Sequence, residues 1–150
     1  MSIVLDTSFV VALMSATDVR HEAAVELFRS TDQDFVTTPL ALAEIDAAAG
    51  RLGSEVAQQA IREDFDSGVF ALRWWADGLR DALAICRDRP DIGLTDASLV
   101  ALAARLHTTR IATFDPDPFR SLSTRDGQPF VLLPADAQHQ SLTESEGSLA

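Results

Sequence analysis

The sequence contains no lysine, because all 12 of its basic residues are arginines. Several kinds of chemistry depend on a lysine: phosphate binding by a P-loop, Schiff-base formation and nucleophile activation in serine–lysine dyads. The absence of lysine excludes all three. Any site for a phosphate group must be built from other residue types.

Cysteine is nearly absent too, since Cys86 is the only one. A single cysteine excludes an internal disulfide, a cysteine-based zinc site and a paired redox motif. Its place in an apolar helical pattern favours a small core residue. His21, His107 and His139 lack the spacing of metal ligands. We therefore expect a protein of a reducing compartment, the cytoplasm.

No segment is long and apolar enough to span a bilayer. The apolar opening from Ile3 to Met14 is short, and Asp6 interrupts it. This opening also lacks the basic start of a signal peptide, because the first basic residue is Arg20. We expect no association with a membrane.

Basic residues are outnumbered by carboxylates, 12 to 23, and the formal net charge is −11. Such a balance excludes the electrostatic pattern of a nonspecific DNA binder or of a protein that binds anionic membranes. A substrate that carries phosphate would need help from divalent cations held by carboxylates, because a bound cation inverts the charge of an acidic site.

The 150 residues, 47% of them hydrophobic, are enough for one domain with its own core. We predict that this domain covers residues 1–133. Residues 134–150 have little apolar content, and we predict a flexible C-terminal tail there.

Short β-branched runs alternate with amphipathic segments along the domain. The runs predict strands over 2–5, 35–37, 69–74, 110–114 and 130–133. The amphipathic segments predict helices between them, and in the helix over 76–87 we expect Leu79, Ala82, Leu83 and Cys86 to form one buried stripe. Alternating strands and helices predict a three-layer α/β/α domain with a mostly parallel sheet of roughly five strands.

Acidic residues occur where such a sheet binds its ligands, outside the carboxyl ends of the strands. Asp6 and Asp115 each follow a predicted strand, Asp96 opens a helix, and Glu44 lies on a helix that follows a strand. Carboxylates packed together raise one another's pKa unless a hard cation such as Mg²⁺ or Mn²⁺ neutralises them. Their convergence therefore predicts a metal site.

Three of these acids also have a purely structural explanation. Asp96 suits the start of a helix dipole, Asp115 before Pro116 suits a turn, and Glu44 suits a solvated helix face. Asp6 is harder to explain in this way, since it directly follows an apolar strand. The joint pattern favours a site over four separate structural roles.

Four sequence blocks carry a resemblance to a known family. They are residues 3–8 (IVLDTS), 39–44 (PLALAE), 93–98 (GLTDAS) and 111–115 (IATFD), the last followed by Phe119. In this order they resemble the PIN-domain ribonucleases, specifically the VapC-type toxins. The similarity extends from residue 3 to about residue 133.

The resemblance implies a PIN-like fold and an endoribonuclease that requires Mg²⁺, for which Mn²⁺ substitutes. It implies a homodimer that acts on RNA and is inhibited by a VapB-type antitoxin covering the active site. The implied catalytic acids are Asp6, Glu44, Asp96 and Asp115, with Asp6, Asp96 and Asp115 as metal ligands. Supporting positions around these ligands are expected at Thr7 and Ser8, and at Asp117, a second acid beside Asp115 that departs from the family pattern.

The hypothesis is hydrolysis of a phosphodiester by metal-activated water, with Glu44 completing the metal's ligands or positioning the water. The alternative is a PIN-like interaction module with weak or no nuclease activity. Phosphatases of the haloacid dehalogenase kind and response-regulator receivers also carry aspartates at strand ends, but both need a lysine. Trp74 and Trp75 have two interpretations: base stacking, or a core or dimer contact, which is favoured.

Overall fold

The structure is a computed structural model that describes residues 1–52 and 55–137. Strands and helices alternate through most of it. In chain order the elements are β1 (Ser2–Leu5), α1 (Thr7–Met14), α2 (His21–Ser30), β2 (Asp34–Thr37), α3 (Pro39–Arg51), α4 (Glu55–Ser67), β3 (Ala71–Leu72), α5 (Gly78–Asp88), α6 (Leu94–Leu106), β4 (Arg110–Ala112), α7 (Asp117–Arg120) and β5 (Val131–Leu133).

The five strands form one parallel sheet in the order β3-β2-β1-β4-β5. β1 is the central strand, and its Val4 pairs with Val36 of β2 and with Ile111 of β4. The carboxyl ends of β1, β2 and β4 therefore meet at one edge, where Asp6 follows β1. The predicted α/β/α domain with a parallel five-stranded sheet is confirmed.

Alternation along β1 divides the core between the two faces of the sheet. Ile3 and Leu5 pack into a cluster with Phe9 of α1 and Phe35 of β2. Val4 belongs to a second cluster, which includes Leu99 and Leu102 of α6. Burial on both faces fixes the register of β1, and with it the position of Asp6 at its end.

Two details of the sequence prediction are wrong. The strand predicted over 69–74 is only two residues long, Ala71–Leu72, because Val69 lies in the turn after α4 and Arg73 already leaves the sheet after one bond to the Thr37 carbonyl. The short helix α7 was not predicted, since its four residues, with Pro116 at the N-cap and Pro118 inside, leave no helical periodicity to recognise.

The predicted buried stripe of α5 is also wrong in part. Ala82 is fully buried, and Cys86 packs beside it against the loop before α6. Leu79 and Leu83 are 48% and 44% exposed. The reason is that α5 lies on the surface of the domain. Only the narrow side of the helix that packs on α6 is buried. The neighbouring arc, with both leucines, faces outward.

The described chain continues to Ala137, four residues beyond the predicted domain. Arg120 of α7 forms an ion pair with Asp136, whose carboxylate also accepts a hydrogen bond from the Leu132 amide at 2.7 Å. The rest of the predicted tail, residues 138–150, lies outside the described residues. None of the helices within 1–52 and 55–137 is long and apolar enough to cross a bilayer.

A pair of buried hydroxyls joins the starts of α3 and α6. Thr38 caps α3 by accepting a hydrogen bond from the Ala41 amide, and its Oγ1 lies 2.8 Å from Oγ of Ser98. Ser98 in turn donates to the Thr95 carbonyl at 2.6 Å. Both hydroxyl-bearing side chains are completely buried. This contact fixes the first turns of two helices that begin at the same edge of the sheet.

Removing the hydroxyl with Ser98→Ala leaves the Thr38 hydroxyl and the Thr95 carbonyl short of a buried partner. We expect a loss of about 1–3 kcal/mol in the free energy of unfolding, measured by urea denaturation. The control is Ser30→Ala, at an exposed helix end, where the change should stay within about 0.5 kcal/mol. Equal stability of the two variants would contradict the structural role of the buried pair.

Candidate active site

A cleft of about 520 Å³ opens at the carboxyl edge of the sheet. All four acids predicted from the sequence line it, and they arrive there on four different elements or loops. Its lining residues are Asp6, Thr7, Ser8, Glu44, Gly93, Leu94, Thr95, Asp96 and Asp115. The structure therefore brings together the quartet that the sequence predicted.

Asp6 lies at the bottom of this cleft and is only 6% exposed. One carboxylate oxygen caps α1 by accepting the Thr7 amide at 2.7 Å. The other oxygen accepts two hydroxyls, from Ser8 and Thr113, each at 2.7 Å. Three donors thus hold the carboxylate in one orientation.

Burial nevertheless raises the pKa of Asp6 above its usual value. The hydrogen bonds from Thr113, Ser8 and Thr7 favour the charged form and act in the opposite direction, while the charge of Asp115 adds to the rise. The cost of desolvation prevails over the three donors. Asp6 is therefore a fixed carboxylate that gains from a nearby positive charge.

Glu44 projects from α3 to the mouth of the cleft, where two threonine hydroxyls bind it. Thr95, in the first turn of α6, donates to Oε1 at 2.7 Å. Thr7, in the first turn of α1, donates to Oε2 at 3.2 Å. The carboxylate thus spans the N-termini of two helices, where a negative charge is favourable.

Asp115 follows β4 and is exposed at the cleft wall. Its backbone amide donates to Oγ1 of Thr113 at 2.9 Å, and that same hydroxyl donates to Asp6. Ser8 makes a parallel link, because its hydroxyl accepts the Phe114 amide at 2.9 Å. The segment after β4 is therefore tied to Asp6 by two hydroxyls.

Asp96 lies in the first turn of α6, and its pKa is raised to about 6. Desolvation is the largest cause, followed by the charges of Asp6, Asp115 and Glu44. Among the described residues, no arginine lines the cleft. The ion pairs within the same ranges all use other carboxylates: those of Asp18, Asp46, Asp77, Asp91 and Asp136. The side chains that the structure describes therefore leave this negative charge uncompensated.

The donor set suits a hard divalent cation, since Mg²⁺ and Mn²⁺ prefer carboxylate and water oxygens. Among the described residues, no three acidic, histidine or cysteine side chains stand close enough to form a finished cation cage. The four carboxylates nevertheless influence one another, because the charges of Asp6, Asp115 and Glu44 all raise the pKa of Asp96. The donor types therefore suit a divalent cation, although the carboxylates are spaced more widely than the ligands of a bound ion.

The expected supporting residues are placed unequally. Thr7 and Ser8 bind the carboxylates of Glu44 and Asp6. Asp117 is exposed as the first residue of α7 and does not line the cleft.

Sequence reasoning missed two hydroxyls, those of Thr95 and Thr113. The only signal was position, since Thr95 directly precedes Asp96 and Thr113 stands two residues before Asp115.

The two tryptophans lie elsewhere. Their rings pack together with centroids 5.1 Å apart, and Trp75 donates its indole N–H to Asp81 at 2.9 Å. Trp75 also packs against the core cluster that contains Val4. Neither tryptophan lines the cleft, so their contacts favour packing over stacking on bases at the site.

The raised pKa values predict how stability depends on pH. A folded-state pKa above the unfolded value means that the folded chain holds its proton more tightly, so the free energy of unfolding falls as pH rises through this range. For Asp96 the range runs from the usual 3.8 to about 6. In EDTA, Asp96→Asn should therefore be more stable than wild type near neutral pH.

That advantage of Asp96→Asn should shrink as pH falls and disappear well below the usual pKa of 3.8, where the wild-type carboxyl is protonated in both states. Thermal denaturation of both proteins across this pH range gives the difference in their stability. The ion-paired aspartates contribute equally to both proteins, so their opposite dependence on pH cancels in this difference. A variant that is less stable than wild type at neutral pH would contradict the coupling.

Comparisons with known proteins place this geometry in a family. The PIN domain model matches residues 3–125. Ribonuclease VapC26 of Mycobacterium tuberculosis is 31% identical over 135 residues, which cover 87% of this chain and 99% of the relative. The crystal structure of VapC20 of the same organism, a toxin that cleaves the sarcin–ricin loop, matches with a TM-score of 0.71 and 26% identity over 77% of this chain and 91% of that chain.

A more distant structure shows the same fold. VapBC2 of Rickettsia felis, solved with a DNA fragment from its promoter, has a TM-score of 0.60 at 16% identity, covering 81% of this chain and 93% of that chain. The family model spans most of the chain, and the VapC26 match extends over nearly the whole relative. The chain therefore belongs to the PIN domain family, as one of its VapC-type members.

Proposed function

We propose that this protein is a metal-dependent endoribonuclease toxin that hydrolyses phosphodiester bonds of cytoplasmic RNA. The observation that carries the proposal is the cleft itself, which four carboxylates line and where no arginine of the described ranges compensates their charge. A divalent cation would neutralise the negative charge of the carboxylates and would also attract the phosphate groups of a polyanion to the cleft. The relatedness to a VapC ribonuclease supports the choice of RNA as the substrate.

Asp6, Asp96 and Asp115 are the residues that would hold Mg²⁺, or Mn²⁺ in its place. When bound there, the cation supplies an activated water and stabilises negative charge on the phosphate and the leaving oxygen. Asp6 contributes a carboxylate whose orientation three donors fix. Glu44, held at the mouth of the cleft by its two threonines, would orient a water molecule.

The proposed hydrolysis does not require a histidine as a general base. Asp96, with a pKa near 6, is largely ionised at neutral pH and becomes fully ionised when a cation occupies the cleft. The alternative, an interaction module without catalysis, gains nothing from four uncompensated carboxylates in one cleft, because such an arrangement costs stability. The geometry and the family both favour the enzyme.

A VapB-type antitoxin and a second copy of the chain are the proposed protein partners. Toxin–antitoxin complexes are among the structures with this fold. The proposed surface for a second copy comprises the edge strand β3, the loop after it and α5, and exposed apolar side chains support it: Leu72, Trp74, Leu79 and Leu83. Leu79 and Leu83 are one helical turn apart and so share one face of α5.

Asp6→Asn and Asp96→Asn should each abolish Mn²⁺-dependent cleavage of RNA while the fold stays intact, because each removes a charged ligand at constant volume. The measurement is cleavage of a fluorescent RNA in Mn²⁺, with EDTA as the control for metal dependence and circular dichroism for folding. Asp117→Asn is the matched control, since Asp117 lies outside the cleft, and it should keep most of the activity. Full activity in Asp6→Asn would contradict the site.

A further inference from the structure

Helices α3 and α6 are connected by two side-chain contacts that run in parallel. The first is the buried pair of Thr38 and Ser98, 2.8 Å apart. The second is the hydrogen bond of 2.7 Å from Thr95 to Glu44. Each contact takes one residue from α3 or its cap and one from the first turns of α6. Two such contacts fix both the distance and the relative rotation of the helices at this edge of the sheet.

Thr95 is itself held firmly between these contacts. Its backbone carbonyl accepts the Ser98 hydroxyl at 2.6 Å, while its side-chain hydroxyl donates to Oε1 of Glu44. The donor is therefore anchored to the buried contact on one side and points to the carboxylate on the other. Thr95 is a fixed donor at the start of α6, directly before Asp96.

Glu44 needs such a donor, because nothing else on its own helix holds its carboxylate. Glu44 is an exposed residue, and a glutamate side chain without partners keeps its rotamer freedom. The negative charge of Asp96 repels it from the cleft. The second donor, Thr7, is more distant at 3.2 Å. The shorter bond from Thr95 is thus the stronger restraint on Glu44.

We propose that Thr95 is a positioning residue of the active site, whose hydroxyl holds the Glu44 carboxylate at the mouth of the cleft so that it supports the divalent cation held by Asp6, Asp96 and Asp115. This role rests on the proposed function. Thr95 acts through Glu44, whose carboxylate accepts its hydroxyl. Each Glu44 oxygen accepts one threonine hydroxyl and keeps the capacity to bind a further partner.

The test compares Thr95→Val, which keeps the branched shape and removes the hydroxyl, with Thr95→Ser, which keeps the hydroxyl. Isothermal titration with MnCl₂ in the absence of RNA gives the affinity directly. Loss of a group that supports a metal ligand typically costs about 10- to 100-fold. We expect a loss of about tenfold or more in Thr95→Val and near wild-type affinity in Thr95→Ser. Thr17→Val, at an exposed threonine in the loop before α2, is the matched control and should bind like wild type.

A double-mutant cycle with Glu44→Gln separates positioning from general stability. In the Glu44→Gln background, Thr95→Val should add little further loss of Mn²⁺ affinity, and the melting temperatures of the metal-free variants should change little. Cleavage of RNA by Thr95→Val should need more Mn²⁺ and approach the wild-type rate at saturation.

Wild-type Mn²⁺ affinity in Thr95→Val, or equal losses with and without Glu44, would overturn the role of Thr95 alone. A wild-type protein that binds no Mn²⁺ would overturn the proposed function, and the role of Thr95 with it.

Discussion

Electrostatic repulsion among four carboxylates at one edge of the sheet is the constraint on which the rest of the structure depends. Asp6 is almost fully buried there, and desolvation, followed by the charges of the other three acids, raises the pKa of Asp96 to about 6. Such a cluster opposes folding at neutral pH. The surrounding hydroxyls, backbone amides and helix N-termini hold the carboxylates in place without neutralising them. The cleft therefore keeps an excess of negative charge that a bound cation would neutralise.

The scaffold offsets this cost with a core that is built around the same strand. β1 has neighbours on both sides, and its alternating residues are buried against two separate clusters. At its end, the Leu5 carbonyl accepts the buried Thr37 hydroxyl at 2.8 Å, which fastens β1 to β2 just before Asp6. The buried central strand is therefore followed by Asp6, the most buried acid among the described residues. Glu44 and Asp96 depend instead on helices, so the contacts between α3 and α6 decide how they face each other.

The sequence was sufficient to predict a site residue where the local pattern around that residue determines its position in the fold. An apolar alternating run before Asp6 predicts a buried strand with an acid at its carboxyl end, and parallel strands bring such ends to one edge. Thr95 and Thr113 could not be found in this way, because threonine at a helix start or strand end usually has a local role and their partners are distant in sequence. The exposure of Leu79 and Leu83 was missed because helical periodicity shows that a face is apolar and does not show what covers it. The extent of β3 depended on where its neighbour β2 ends.

The central claim is that the four carboxylates form one cation site. Diffraction from crystals soaked in MnCl₂, recorded at the manganese absorption edge, locates the metal independently of any activity. The account predicts an anomalous peak in the cleft, with carboxylate oxygens of Asp6, Asp96 and Asp115 at about 2.0–2.3 Å and with Glu44 still bound to Thr95. Ordered manganese at another acidic position, with an empty cleft at saturating concentration, would contradict it.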